Sequence, residues 1–495
     1  MNAAELLIEA GAEDQVALEC GERQLSYGEL RRAVSHAAGA WRELGLSADE
    51  RVLILAPDSI AWVVAYLGAI AAGGVAVGLN SRLFEKELGI ILAESGARFI
   101  CCEACSLPLL DTLCAPLEDP PRILVMDGEE SEWQRLLDTA PALESVPRQA
   151  EDMAFWIYTS GTTGRPKAVI HAQRTVVACM AVAEQMLGLD ASDRLYASSK
   201  LFFAYSLGNS LLAGLRLGAT VILDGEWPTA ERVVAICERH RPTVLFSVPT
   251  LYHKLVQAGL AQRLQAAGVR HFVSAGESLP MLVRRALEKA TGISPFSGYG
   301  TSETLSLMFY STDDEGILRP TPLTEVRNCD PVSELDAGMP RRLCVRHPSV
   351  ALGYWQRPEA QADFHDGWFA PGDMFVPCAG EALAWEYSGR TDDMLKISGQ
   401  WVSTIAVDQA LLTACGDSVQ ELGSVALKNA EGLTEIAIFV VPAADRAEEA
   451  KARLTAGIAE LPGFKRPRQI RFVESLPRTA TGKLQRNRLA GMLQG

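Results

Sequence analysis

Short apolar runs recur along the chain. Each is closed by a glycine, serine or proline and followed by residues whose apolar positions fall at helical spacing. RVLILA (51–56) reads as a buried strand. TVLFSV (243–248) is a second, followed by Pro249 and a helix through LYHKLV. VRHFVSAG (269–276) is a third, and PMLVRRALEKATG then carries helical periodicity. MAFWIYTSGTTG runs an apolar strand straight into a polar loop. A strand–turn–helix rhythm of this kind predicts α/β architecture with parallel strands. Ligands of such sheets sit at the carboxyl ends of the strands, where these glycine turns fall.

WVVAYLGAIAAGGVAVGLN (62–80) approaches the roughly 20 apolar residues of a membrane span. It also contains four glycines and follows APDS, so it reads as a buried helix, a glycine turn and a buried strand. Beyond Gly389–Asp393 the pattern changes. GSVAL (423–427) and EIAIFVV (435–441) read as strands, 445–460 as a charged helix and RQIRFV (468–473) as a strand. The expected organisation is a large N-terminal lobe, 1–389, of mixed α/β subdomains with parallel-strand sheets. A small α+β domain, 390–495, follows it.

Composition narrows the function. Of 495 residues, 48% are hydrophobic and 22% charged, an ordinary globular balance. The net charge of −15 disfavours a nucleic-acid partner, so a protein of this kind that binds phosphates must gather its cations locally. The eleven cysteines are scattered and the start, MNAAELLIEAGAEDQ, has no basic, apolar leader; both point to reduced thiols in the cytoplasm and no membrane association. Cys102 and Cys105 lack the second ligand pair that a zinc site needs.

The candidate chemistry lies in a few polar segments. In YTSGTTGRPKAV (158–169), Gly161 and Gly164 let backbone N–H groups turn inward. Thr159, Ser160, Thr162 and Thr163 add hydroxyls, and Lys167 adds a point charge. The spacing differs from G-x-x-x-x-G-K-[ST], yet the loop has the parts of a phosphate cradle. In GYGTSE (298–303), Tyr299 offers a flat face for a purine, Ser302 a donor for a phosphate oxygen, and Glu303 a hard oxygen for Mg²⁺. Asp373 and Arg390 are candidates for ribose hydroxyls or phosphate. Lys483 follows a threonine- and glycine-rich turn in PRTATGKLQRNRL.

In this order, from about Ser26 to Leu489, these segments resemble the adenylate-forming superfamily of acyl-CoA synthetases, firefly luciferases and peptide-synthetase adenylation domains. The resemblance implies a two-step reaction. A carboxylate attacks the α-phosphate of ATP to give acyl-AMP and pyrophosphate, and a thiol, usually that of coenzyme A, then displaces AMP. It also implies roles. Thr159 to Gly164 and Lys167 hold the β- and γ-phosphates. Tyr299 packs on adenine opposite Ala275, Gly276 and Glu277. Ser302 contacts the α-phosphate, Glu303 binds Mg²⁺, and Asp373 and Arg390 hold the ribose. Lys483 bridges the carboxylate and the α-phosphate. Asp392 is the hinge about which the mobile C-terminal domain turns. The KISGQWV strand (396–402) then lines the coenzyme A tunnel with Ser398, Gly399 and Trp401.

Amino-acid-activating relatives carry an aspartate in F-D-x-S, where this chain has Ala204, so an α-amino acid is not expected. KLFFAYSLGN, SAGESLP and SGQWVS resemble the benzoate-type aryl-CoA ligases. This implies an aromatic slot lined by Ala204, Tyr205, Gly300, Leu305 and Ser306, with Ala275 near it. Ser306 stands where benzoate ligases prefer histidine, which suggests a larger or substituted ring. Ala370-Pro371, Trp401, Thr404 and Ala406 also depart from the common pattern; none removes a charge needed for adenylation. The expected function is therefore ATP-dependent ligation of an aromatic carboxylic acid to coenzyme A. The alternatives are an aryl-acid adenylating enzyme that loads a separate carrier protein, and a non-catalytic ligand-binding protein on the same fold.

Overall fold

The computed structural model describes residues 1–128, 130–160, 165–329, 339–391, 394–397, 400–428, 434–478 and 484–492. Two compact units emerge, one of Met1–Val326 with Val345–Phe369, the other of Arg327–Cys344 with Ala370–Gly495. A division by compactness is a separate matter from the division by motion expected at Asp392, which lies outside the described residues.

The larger unit is built on two sheets. One runs Arg319–Pro320, Phe309–Ser311, Phe296–Tyr299, His271–Ser274, Val244–Ser247, Arg194–Ala197, Thr220–Leu223, Val16–Cys20, Arg23–Ser26. From Phe296–Tyr299 to Val16–Cys20 every pairing is parallel. The other runs Gly353–Tyr354, Pro166–Ala172, Met153–Ser160, Val75–Gly78, Arg51–Leu55, Phe99–Cys102, Arg122–Val125, and is parallel from Met153–Ser160 onward. The strands at 51, 244 and 271 are thus those expected, and the helices Pro249–Gln257 and Met281–Thr291 follow the last two.

Between the sheets lies one apolar core to which both contribute: Leu18, Val221 and Leu223 from the first, Val52, Ile54, Phe99 and Ile157 from the second. The helix Ile60–Ala71 is apolar on all sides because it is buried there, with Trp62 stacked on Tyr66 at 4.8 Å. Its exit needs glycine. Gly73 has φ +88°, and a Cβ on Gly74 would lie 3.2 Å from the carbonyl oxygens of Ala69 and Glu50. The chain turns there into Val75–Gly78, the helix, turn and strand expected of 62–80. No described helix is long and apolar enough to cross a membrane.

In the second unit, Val419–Lys428 pairs antiparallel with Thr434–Pro442, which pairs parallel with Gln469–Phe472. The helices Thr404–Cys415 and Ala447–Glu460 cover this sheet through Val407, Leu411, Ala450 and Leu454. One expectation is corrected. The stretch 396–402 is not a single strand but belongs to two antiparallel ones, Met394–Ile397 and Gln400–Ser403, with Ile397 opposite Gln400. Only two residues separate those partners, so the chain has to reverse.

The described residues flanking 479–483 are anchored to this sheet. Arg478 bridges Leu484 and pairs with Glu421 at 3.0 Å. Arg486 donates to the carbonyl of Ser424 at 2.6 Å and to the buried carboxylate of Asp408 at 2.7 Å. Burial pushes the Asp408 carboxyl up, and Arg486 opposes that shift. Arg486→Ala is therefore expected to destabilise this unit by about 3–5 kcal/mol, because it strands a buried carboxylate. Urea titration with hydrogen exchange of Val419–Lys428 reads this out. A change below about 0.5 kcal/mol, the range of an ordinary surface substitution, would contradict the anchoring role.

Candidate active site

Four neighbouring parallel strands, Arg194–Ala197, Val244–Ser247, His271–Ser274 and Phe296–Tyr299, release the chain at the same edge of the first sheet. From these ends come the segments holding Ala204 and Tyr205, then Ala275 to Glu277, then Gly300 to Ser306. Sequence reasoning expected these residues to share a site, and the topology brings their segments to one edge.

Tyr205 is fixed from both ends. Its hydroxyl donates to the carbonyl of Val273 at 2.8 Å, and its ring meets Phe246 edge-on at 6.1 Å. Burial raises its phenol well above the ordinary value, so the hydroxyl keeps its proton and remains a donor. The same apolar cluster holds Val273, Ala275, Phe296 and Leu307. Ala204, buried beside it, brings no charge. Gly276 has φ +89°, which carries the chain past Ala275, and the Glu277 side chain is exposed. Tyr299, at the end of its strand, lies 5.8 Å from Phe309. Gly300 admits no side chain, since a Cβ would sit 2.8 Å from the carbonyl oxygen of Ser306.

Met153–Ser160 and Pro166–Ala172 form an antiparallel hairpin in which Thr159 faces Lys167 and Ser160 faces Pro166. The intervening Gly161, Thr162, Thr163 and Gly164 lie outside the described residues. The Lys167 ammonium stands 5.5 Å from the ring centroid of Tyr354, within cation–π range. The Tyr354 hydroxyl in turn donates to Glu303 Oε1 at 2.7 Å. Tyr354 therefore joins the lysine of the hairpin to the glutamate at the neighbouring sheet's edge. Sequence reasoning missed it. A tyrosine in GYW carries no chemical signature of its own, and its partners are distant in sequence.

The residues before Leu305 are held by their carbonyls. His171 Nε2 lies 2.9 Å from Ser302 O, Ala351 N donates to Glu303 O at 2.8 Å, and Ser349 Oγ donates to Thr304 O at 2.6 Å. The chain then turns at Leu305, φ +55°. His171 is buried and stacked on Phe155 at 4.9 Å. Burial pushes its pKa down to about 4, against the opposing hydrogen bond to Ser302. Since Ser302 O can only accept, Nε2 is the protonated nitrogen of a neutral ring.

In the second unit, a separate antiparallel pair, Asp373–Pro377 and Trp385–Arg390, sets Asp373 directly opposite Arg390. Asp373 is buried, and its Oδ1 accepts from the Tyr387 hydroxyl at 2.9 Å. Trp401 is in the strand Gln400–Ser403, opposite Lys396. Lys483, Ser398 and Gly399, like Asp392, are outside the described residues.

Residues 8–355 match the family of AMP-binding enzymes, and residues 407–483 match the AMP-binding enzyme C-terminal domain. The chain belongs to the AMP-binding enzyme family. Among its relatives, the 3-hydroxybenzoate–CoA/4-hydroxybenzoate–CoA ligase of Thauera aromatica is 40% identical, over 100% of this chain and 98% of that protein. The 3-hydroxybenzoate–CoA ligase of Aromatoleum sp. (strain CIB) is 38% identical, over 100% and 97%. Among solved structures, the benzoate CoA ligase of Burkholderia xenovorans LB400 aligns with a TM-score of 0.87 at 31% identity, covering 99% of this chain and 100% of that one. The anthranilate CoA ligase AuaEII in complex with anthranoyl-AMP aligns with a TM-score of 0.91 at 28% identity, covering 99% and 97%. The fold expected from sequence, parallel-sheet α/β with a smaller C-terminal part, is the fold of these AMP-binding enzymes.

The buried histidine predicts a loss of stability in acid. Between the ordinary histidine value of 6.5 and about 4, the unfolded chain takes up a proton that folded His171 refuses. The stability it contributes is complete above that window and is lost as the pH falls through it. His171→Gln, which can still donate to Ser302 O, should flatten the fall in unfolding free energy between pH 7 and pH 4.5 by about 2–3 kcal/mol. Urea titrations of both proteins at the two pH values check this. Parallel pH dependences would contradict it.

Proposed function

We propose that this AMP-binding enzyme activates an aromatic carboxylic acid of the benzoate and hydroxybenzoate class as its adenylate and transfers the aryl group to coenzyme A. The carrying observation is the identity of 40% and 38%, over essentially whole chains, with ligases named for hydroxybenzoates and coenzyme A. The geometry supports the same reading. A fixed tyrosine and apolar walls stand at one edge of a parallel sheet, with an alanine where an amino-acid-activating site has its carboxylate.

In the first step one carboxylate oxygen of the acid bonds to the α-phosphorus of ATP, and the bond to the departing pyrophosphate breaks. Two anions have to meet, so opposing charge must be in place beforehand. Lys167, with Thr159 and the hairpin loop up to Gly164, binds the β- and γ-phosphates. Ser302 contacts the α-phosphate. Tyr299 covers adenine opposite Ala275, Gly276 and Glu277, while Asp373 and Arg390 bind the ribose. Lys483 bridges the carboxylate and the α-phosphate, and Asp392 is the hinge that withdraws it. In the second step the thiol sulfur bonds to the acyl carbon and AMP leaves. Ser398, Gly399 and Trp401 flank the path of that thiol. The aryl ring lies among Ala204, Tyr205, Gly300, Leu305 and Ser306.

Mg²⁺ fits this donor set. No cluster of three or more His, Cys, Asp or Glu suited to a metal occurs among the described residues, and Glu303 offers a lone hard oxygen ligand held by Tyr354. Magnesium is commonly held through one or two carboxylates together with substrate phosphates and water. When bound it would neutralise phosphate charge; Glu303 would be its protein ligand.

The direct test is pyrophosphate release with ATP and Mg²⁺ across benzoate, the hydroxybenzoates, fatty acids and α-amino acids, with and without coenzyme A. Release should follow the benzoates, and a thioester should form only when coenzyme A is present. No release with any benzoate, or preference for a fatty acid, would overturn the reading. Release with benzoates but no thioester from coenzyme A would leave adenylation standing and overturn the acceptor.

A further inference from the structure

The carboxyl ends of three strands, drawn from both sheets, meet at one buried charge cluster. Asp58 follows Arg51–Leu55 of the seven-stranded sheet, while Lys200 and Asp224 follow Arg194–Ala197 and Thr220–Leu223 of the nine-stranded one. All three side chains are buried. Both carboxylate oxygens of Asp58 accept from Leu201 N, at 3.1 and 3.2 Å. The Lys200 ammonium donates to the carbonyl of Asp224, whose carboxylate is held by Arg232 at 2.5 and 2.7 Å. Arg232 thus serves Asp224, and the cation that acts on Asp58 is Lys200. The segments approach closely, since a Cβ on Gly225 would lie 3.3 Å from Asp58 O. Buried ion pairs of this kind add little net stability, so stability alone does not account for the cluster. The candidate acid site lies directly downstream. Lys200 O accepts from Phe203 N at 3.0 Å and Phe203 O from Leu207 N at 2.9 Å; Ala204 and Tyr205 stand in the helical turn so made.

We infer that Asp58 is a positioning residue for acid binding: through Leu201 N it fixes the turn that carries Ala204 and Tyr205, with Lys200 as its buried counter-cation. The inference rests on the aryl-acid reading above and deepens it. Asp58 belongs to the other sheet, so this contact sets the turn against a frame that the turn's own strand does not supply. A charged acceptor bonds an N–H more strongly than a neutral one, so Asp58 grips Leu201 when ionised and loosens it when protonated. Burial pushes the Asp58 carboxyl up to about 7; Lys200 and the Leu201 N–H oppose that shift, and Asp224 adds to it. Cys20 and Tyr196 also face Asp58, but burial raises both, so they stay neutral in this range. Arg232 and Glu226 are one step further out, acting on Lys200. The phosphate-site candidates Lys167, Ser302 and Glu303 lie on other segments, so loosening the turn should affect the acid and spare the nucleotide.

The test is steady-state pyrophosphate release from about pH 8.5 to about pH 6, for the wild type, Asp58→Asn and Lys200→Met. KM is measured for the best benzoate or hydroxybenzoate at saturating Mg²⁺–ATP, and for ATP at saturating acid. In the wild type, KM for the acid should rise about 5- to 10-fold as the pH falls, and KM for ATP should change by less than about 3-fold. Asp58→Asn, which offers Leu201 N a neutral oxygen, should show the higher acid KM at every pH and so flatten the profile. Lys200→Met removes the charge that favours ionised Asp58, so the rise should begin at higher pH. A purely structural role would not tie KM to the ionisation of one carboxylate. A flat wild-type profile, the wild-type profile retained in Asp58→Asn, or equal changes in KM for acid and ATP would overturn the inference and leave the aryl-acid reading intact. Should a variant fail to fold, the wild-type profile decides. If no benzoate supports release at all, the aryl-acid reading falls and the inference with it.

Discussion

A tyrosine hydroxyl given to a glutamate carboxylate is the contact on which the candidate site depends. Tyr354 is seated by its backbone at the edge of the seven-stranded sheet, where it pairs with Val169 and where Gly353 pairs with Ile170. Glu303 stands in the turn after the Phe296–Tyr299 strand of the nine-stranded sheet. The 2.7 Å bond between them links the edges of two sheets that also meet through the His171–Ser302 hydrogen bond and an apolar core. A charged acceptor makes it stronger than a neutral bond. The same tyrosine offers its ring to Lys167, so one side chain orients an anion and a cation of the site. Around it, the carbonyls of Ser302, Glu303 and Thr304 are each tied to the chain at 171 or 349–351. This turn is fixed before any ligand arrives, as electrostatic catalysis requires.

Much of this was legible in the residues because the physics behind it is local. Apolar runs that end in glycine or serine became parallel strands at 51, 244 and 271. The fully apolar helix from Ile60 needed only its burial to be explained. The candidate residues 204–205, 275–277 and 300–306 were expected together from the resemblance, and their segments follow neighbouring strands of one sheet. Tyr354 was not legible. Its partners are 51 residues away at Glu303 and far upstream at Lys167, and no periodicity or spacing encodes a contact made by strand pairing. The neutral, buried His171 was hidden in the same way. An isolated histidine in an apolar strand gives no sign of which carbonyl its ring will hold. The hairpin at 394–403 shows a third limit: KISGQWV has strand composition on both sides of its Ser-Gly pair, and composition does not mark the reversal.

The aryl slot proposed above is defined by what it leaves out. Ala204 brings no charge to this edge of the sheet, and Tyr205 spends its hydroxyl on Val273. Ser306 then carries a polar group that nothing in the described chain satisfies.

The most direct measurement of the central claim is a double-mutant cycle between Tyr354→Phe and Glu303→Gln, read by acid-dependent ATP–pyrophosphate exchange. If the hydroxyl acts by orienting the Glu303 carboxylate, the two losses should overlap, with a coupling energy of about 1.5–3 kcal/mol. Strictly additive losses would contradict the account and reduce Tyr354 to a packing residue.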